Sequence, residues 1–257
     1  MGIIYFIIIL GASVIGAIVG LGGGVIIRPI FDSIGYHGVL NISFFSSTAI
    51  FTMAIVSTVK KLRDGSKIDF RIALLTSVGA IFGGSFGNLI LEYLVSIFTQ
   101  ERYAQIAQIT ITIVVLAISI FLTIKVNIRH EIKNRWVCLP IGVLLGTTAT
   151  FLGIGGGPIN VPIFMILFGL PIKEATTYSI VVIFFSHLSR LVTMGFTVGY
   201  SYFDLPMLLF VIPAAAIGGL VGAKFSKIFS ETTVKRLFIA ALTGVILLNI
   251  YNGFFVV

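Results

Sequence analysis

Long apolar runs separated by short charged breaks make up most of the chain. Runs of roughly 20 residues recur, the length a helix needs to cross about 30 Å of hydrocarbon. They predict helices at 2–20, 39–60, 70–96, 103–125, 136–153, 174–196, 204–224 and 236–255. Two shorter apolar pieces, 24–34 and 158–170, each follow a cluster of glycines. Strict alternation of apolar and polar residues is absent, which excludes a transmembrane barrel. The pattern predicts an all-α polytopic membrane protein.

Composition agrees. Of 257 residues, 58% are hydrophobic and only 10% charged, against about 25% charged in a soluble domain. The lipid bilayer is therefore the first partner expected. A net charge of +8 would suggest nucleic acid in a soluble protein, but the cations cluster in a few short loops and read as topology signals. No nucleic-acid partner is expected. Loops 60–71, 125–135 and 224–236, together with Lys173, hold 14 of the 17 Lys and Arg. The positive-inside rule puts them in the cytoplasm, with both termini outside the plasma membrane. "TQER", with Arg102, and "GFTVGYSYF" then face outward, and Arg28 and Arg190 fall within the membrane. The N-terminal run lacks the basic start of a signal peptide and is expected to persist as the first helix. Cys138 has no disulfide partner and reads as buried filler, and nothing has metal-ligand spacing, so neither metal nor other cofactor is expected.

The glycine clusters are copies of each other. "GLGGGVIIRPIF" (20–31) and "GIGGGPINVPIF" (153–164) agree at eight of twelve positions at an offset of 133. Further along, "FGGSFG" (82–87) matches "IGGLVG" (217–222) at an offset of 135, where Asp69 also matches Asp204. Each aspartate is expected to N-cap its helix. Loop charges require the segments 2–34 and 136–170 each to leave and return to one side of the membrane. Each half is thus a Gly-broken helical hairpin followed by three transmembrane helices, an arrangement that reverses orientation between copies. The expected organisation is a first repeat at 1–127, a basic cytoplasmic linker at 128–135 and an inverted second repeat at 136–257, all one membrane domain. Paired interrupted helices in inverted repeats point to a secondary transporter with a site near the bilayer midplane. The alternative is that each hairpin is a complete transmembrane pair.

Glycine tolerates the backbone reversals that Gly22, Gly23 and Gly24, and Gly155, Gly156 and Gly157, would need. Irregular backbone survives in a membrane only inside protein or beside water, so these turns should line a cavity. A short helix starts after each turn, with Pro158 suited to a first helical turn and Pro29 and Pro162 as further breaks. Helix N-termini attract anions. Arg28 adds a permanent charge and a planar donor fork suited to oxyanions, although it could instead snorkel or bond carbonyls freed by Pro29. Asn160 offers an amide beside the second turn. Ser46, Ser47 and Thr48, close to Asn41 and Ser43, face Thr176, Thr177 and Ser179 of the other half. Each hydroxyl could equally bond its own helix. His187 and Arg190, one turn apart, are candidates for a gate or second anion contact, with Arg190 snorkelling outward as the alternative. Asp32 and Glu174 are placed beside loops, so no deep carboxylate supports a proton relay.

At these glycine motifs, and at "KEATTYS" and "GGLVG", the chain resembles the sulfite exporter TauE/SafE family, also called the toluene sulfonate uptake permease family. The resemblance spans nearly the whole chain and implies a carrier of sulfite, organosulfonates and similar small sulfur-containing anions. One departure from symmetry is that Arg28 stands opposite Val161. The expected function is a secondary transporter, exporting such an anion by alternating access between the two repeats. The alternative is an anion channel, or a carrier of another small anion such as a carboxylate. A membrane-embedded enzyme is disfavoured by the sparse His, Cys and carboxylate inventory. Between a monomer and a homodimer the sequence does not choose.

Overall fold

Hydropathy and glycine placement dictate ten helices in the computed structural model, which describes residues 1–65, 68–98, 101–125, 135–152 and 156–255. They are α1 (Gly2–Val19), α2 (Gly24–Ile34), α3 (Val39–Arg63), α4 (Phe70–Ile97) and α5 (Glu101–Lys125) in the first half. The second half supplies α6 (Cys138–Leu152), α7 (Gly157–Phe168), α8 (Ile172–Thr197), α9 (Leu208–Ile228) and α10 (Glu231–Phe255). Among the described residues there is no strand. Among the described residues eight spans are long and apolar enough to cross a membrane, α2 and α7 contributing none and α6 qualifying with the 3₁₀ turn Arg135–Val137 that precedes it. Gly155, Lys67, Arg129, Lys133 and most of the linker expected at 128–135 lie outside the described residues.

The ends of the helices separate by charge. At one end Arg135 pairs with Asp69 at 3.1 Å, Lys227 approaches Asp64 at 3.9 Å, and Lys173 donates to the carbonyls of Lys227 and Phe229. We call this the basic end. At the other, His37 faces Asp204 at 3.7 Å, the Asp204 N–H reaches Asn41, and Phe44 stacks on Phe203. α6 begins at the basic end. α1 begins at the opposite end, where Gly2 lies against Phe210.

Small residues set the packing. Gly79, Gly83 and Gly87 form one stripe on α4, and a Cβ on any of them would run into the backbone or side chains of α6 around Leu139, Val143 and Thr147 to Thr150. Gly218 and Gly222 of α9 abut Leu10, Ser13 and Val14 of α1 in the same way. The next glycine of each pair turns to a different neighbour, Gly84 to Ser186 of α8 and Gly219 to Met53 of α3. Close approach through small residues is the usual device where lipid gives no hydrophobic drive between helices. It explains the copied "FGGSFG" and "IGGLVG". Exchanging the halves maps this packing onto itself: α4 on α6 and α8 becomes α9 on α1 and α3, and α5 on α7 becomes α10 on α2.

Asp69 caps α4, its carboxylate accepting from the Arg71 N–H at 2.9 Å. Asp204 does not cap α9. A 3₁₀ turn at Leu205–Met207 intervenes, and the carboxylate faces His37 instead. Cys138 is buried, with a free thiol.

Candidate functional site

The two glycine clusters make two turns that touch. α1 stops at Gly20, whose φ of 76° is left-handed. Gly22 and Gly23 continue at φ 84° and 75°, and Gly23 then N-caps α2. In the second half Gly156, at φ 66°, N-caps α7 with Pro158 in its first turn. Neither helix start has a side-chain cap. A Cβ on Gly157 would collide with the Gly20 carbonyl and the Leu21 Cα, so the turns meet backbone to backbone across the halves. Gly24 is held as closely, its missing Cβ standing against Ile50 and 3.0 Å from Ser46 Oγ. Ser179 locks the first turn by donating to the Gly20 carbonyl at 2.7 Å.

Arg28, one turn into α2, is 5% exposed and well partnered. Its guanidinium donates to Ser43 Oγ at 3.1 Å, to the Leu152 carbonyl at 3.1 Å and to Gln108 Oε1, and lies 3.8 Å from Asp32. Leu152 ends α6, so Arg28 caps the carbonyl end that leads into the other half's turn. Gln108 serves the same end, donating to the Phe151 carbonyl at 3.0 Å. Asp32 lies beside a loop as expected, in the last turn of α2, but it is buried at 9% exposed, one helical turn from Arg28 and on the same face. A buried carboxylate beside a buried guanidinium is what the cost of isolated charge demands. The Pro29 carbonyl accepts from Ser33 at 2.9 Å and from Asn252 at 2.6 Å, which ties α2 to α10. The Pro158 carbonyl accepts from Ser119. Pro162 lies within α7, buried.

Other candidates keep their donors free. Arg190 is fully buried rather than snorkelling. Its Nε donates to Asn88 Oδ1 at 3.3 Å, while both terminal nitrogens have no protein partner. Asn88 in turn donates to Glu92 at 2.6 Å. His187, one turn below on α8, is 0% exposed with both ring nitrogens unpartnered. Asn160, one turn into α7, is likewise buried with both amide atoms unpartnered, and Ser47 Oγ is another such group. Most buried polar groups are bonded, so the open ones are exceptions, and Ser13, Ser57, Thr58 and Ser77 are among them as well.

The remaining hydroxyls are engaged locally. Thr48 donates to the Phe44 carbonyl and Thr177 to the Lys173 carbonyl, each four residues back. Thr177 also lines a cavity of about 330 Å³ at the basic end, together with Lys61, Asp64, Lys173, Glu174 and Lys227. By contrast, the space beside the second turn, lined by Gly156, Pro158 and Leu152, does not admit a water molecule. Asn88, Gln108 and Lys61 were not singled out by sequence. Gln108 carried a legible signal, an amide inside the apolar run "AQITITIVV"; Asn88 carried none beyond its polarity. Among the described residues no cluster of three or more His, Cys, Asp or Glu is arranged to hold a metal.

The profile of the Sulfite exporter TauE/SafE family matches residues 5–248. A probable membrane transporter protein of Bacillus subtilis, YunE, is 24% identical, the match covering 95% of either chain. A second, MJ0441 of Methanocaldococcus jannaschii, is 24% identical over 91% of this chain and 89% of its own. The probable membrane transporter protein MamO of Paramagnetospirillum magneticum is 26% identical over 42% of this chain and 18% of its own. No solved structure matches the chain.

Proposed function

The chain belongs to the Sulfite exporter TauE/SafE family of membrane transporters, and from that membership we propose that it is a secondary transporter of small sulfur-containing anions, sulfite or an organosulfonate. One observation carries the reading: Arg190 is fully buried with both terminal nitrogens unpartnered. A guanidinium fork left open in a buried interior is suited to an oxyanion with two or three oxygens in a plane. His187 and Asn160 add neutral donors, and the uncapped starts of α2 and α7 add oriented N–H groups. Arg28 holds the turns in place, and its charge contributes to the field without its donors being spent on substrate.

The opposite starting ends of α1 and α6, and the packing that survives exchange of halves, support two inverted repeats around a midplane site. The tight glycine contacts tie α1 to α9 and α4 to α6, so a movement that alternates access carries each pair as a unit. The positive-inside rule places the basic end in the cytoplasm. An inside-negative potential then favours exit of an anion by about 2.3 kcal/mol per charge per 100 mV, which fits export without a coupled ion.

The test is flux of ³⁵S-sulfite from proteoliposomes containing the purified protein. Efflux that saturates and is accelerated by unlabelled sulfite on the far side supports the carrier. Ohmic current without such acceleration supports a channel, and no flux of sulfite, sulfate, taurine or a carboxylate contradicts transport of this class. Arg190→Gln is expected to lower sulfite flux at least tenfold, an electrostatic contact in low dielectric being worth that much.

A further inference from the structure

We propose that the cavity at the basic end is a docking site for small oxyanions in which the Lys61 ammonium is the charged contact; its purpose rests on the transporter reading, but its existence does not. Lys61 lies in the last turn of α3, where sequence alone counts it as one more topology signal. Topology requires only an exposed cation, and Lys60 and Arg63 already supply that. Lys61 is instead 5% exposed and lines a cavity of about 330 Å³, within the size range of ligand sites.

Its one hydrogen bond is long and to a neutral group, 3.5 Å to Thr176 Oγ1, and that hydroxyl spends its own proton on the Lys173 carbonyl at 2.7 Å. An ammonium with three donors and one weak acceptor has capacity left over. The other charges in the cavity do not neutralise it. Asp64 is shared by Lys60 at 3.0 Å and Lys227 at 3.9 Å. Lys173 donates only to the carbonyls of Lys227 and Phe229, which carry no net charge. Glu174 sits in the first turn of α8, where the helix N-terminus offsets its charge. The balance among the lining groups is therefore positive, in a recess walled by helices that concentrates the field.

The position is as informative as the charge. Thr176, the hydroxyl that Lys61 reaches, stands against Gly20 of the first glycine turn, whose Cβ would be 2.7 Å from the Thr176 Cα. An anion held by Lys61 is thus one side chain from the turn that Ser179 locks. The cavity is placed to receive an anion on the basic side before it moves to, or after it leaves, the buried donors around Arg190.

The test places a thiol in the cavity without altering its charge: Ser226→Cys, on a Cys138→Ser background, in the purified full chain. Ser226 lines the same cavity and is not one of the proposed anion contacts. Labelling rates are measured with an anionic sulfonatoethyl and a cationic trimethylammonioethyl methanethiosulfonate. Lys61→Gln is expected to slow the anionic reagent about tenfold relative to the cationic one, and Lys61→Arg to restore the ratio. Millimolar sulfate is expected to protect the introduced thiol with Lys or Arg at position 61 and not with Gln. An unchanged ratio in Lys61→Gln, absence of protection by sulfate, or failure of either reagent to label the introduced thiol overturns the proposal. If labelling behaves as expected while proteoliposomes move no anion, the docking site stands and the transport reading fails.

Discussion

Arg28 and Arg190 carry the same group into the same interior, and their hydrogen bonds assign them different work. Arg28 is consumed by Ser43, the Leu152 carbonyl, Gln108 and Asp32, whereas Arg190 spends only its Nε on Asn88. Arg28→Gln leaves the Asp32 carboxylate buried and unpaired, a loss of about 3 kcal/mol. The expected result is a sharp fall in folded protein recovered from detergent, partly reversed in Arg28→Gln/Asp32→Asn; equal recovery of all three would remove Arg28 from its structural role. Sequence singled out both arginines because charge in a membrane helix is rare. It gave the anion contact to Arg28 and a gate or second contact to Arg190, blind to Gln108, Asn88 and a carbonyl more than a hundred residues away. Lys61 was hidden for the same reason: a cation in the last turn of a span looks alike whether it faces solvent or a cavity. The i,i+4 pairing of Arg28 with Asp32 was, however, readable from spacing alone.

At the scale of elements the reading went further, because span length and glycine placement are local properties. All ten expected helices exist, but α9 lies four residues later and α10 starts five earlier than the apolar runs placed them, and the glycine turns have the positive φ that their composition requires. The Asp69 cap was legible and the Asp204 cap was not, because Pro206 in "DLPM" sets up a 3₁₀ turn before α9 begins. The role of "FGGSFG" also stayed out of reach, since a small-residue stripe names no partner. The structure supplies it as α6 for Gly83 and α8 for Gly84. Gly83→Ala forces a methyl against the Val143 carbonyl, a backbone atom that cannot turn aside, and is expected to cost about 2 kcal/mol. Gly218→Ala, its counterpart against α1, should cost a similar amount. Thermal unfolding of the two variants in detergent checks this, and unaltered midpoints would show that the helix pairs are not held by close approach.

For the molecule as a whole, charge segregation defines a direction. Lys60, Lys61, Arg135, Lys173 and Lys227 gather at one end, while His37, Asn41 and Asp204 meet at the other. On a Cys138→Ser background, Tyr200→Cys is expected to react with an impermeant thiol reagent on intact cells, and Lys227→Cys only after lysis; the reverse pattern would invert the orientation and remove the argument for the proposed export. Within that frame the two glycine turns meet between the halves, and the unpartnered donors of α7 and α8 are buried inside. Binding of an oxyanion by Arg190 is the claim on which the rest depends. Its most direct measurement is the thermal stability of the purified protein titrated with sulfite, since a ligand at about 100 times its Kd adds about 2.7 kcal/mol to the native state. The account predicts a saturating rise in midpoint for the unaltered chain and none for Arg190→Gln at equal starting stability. An equal rise in both would contradict it.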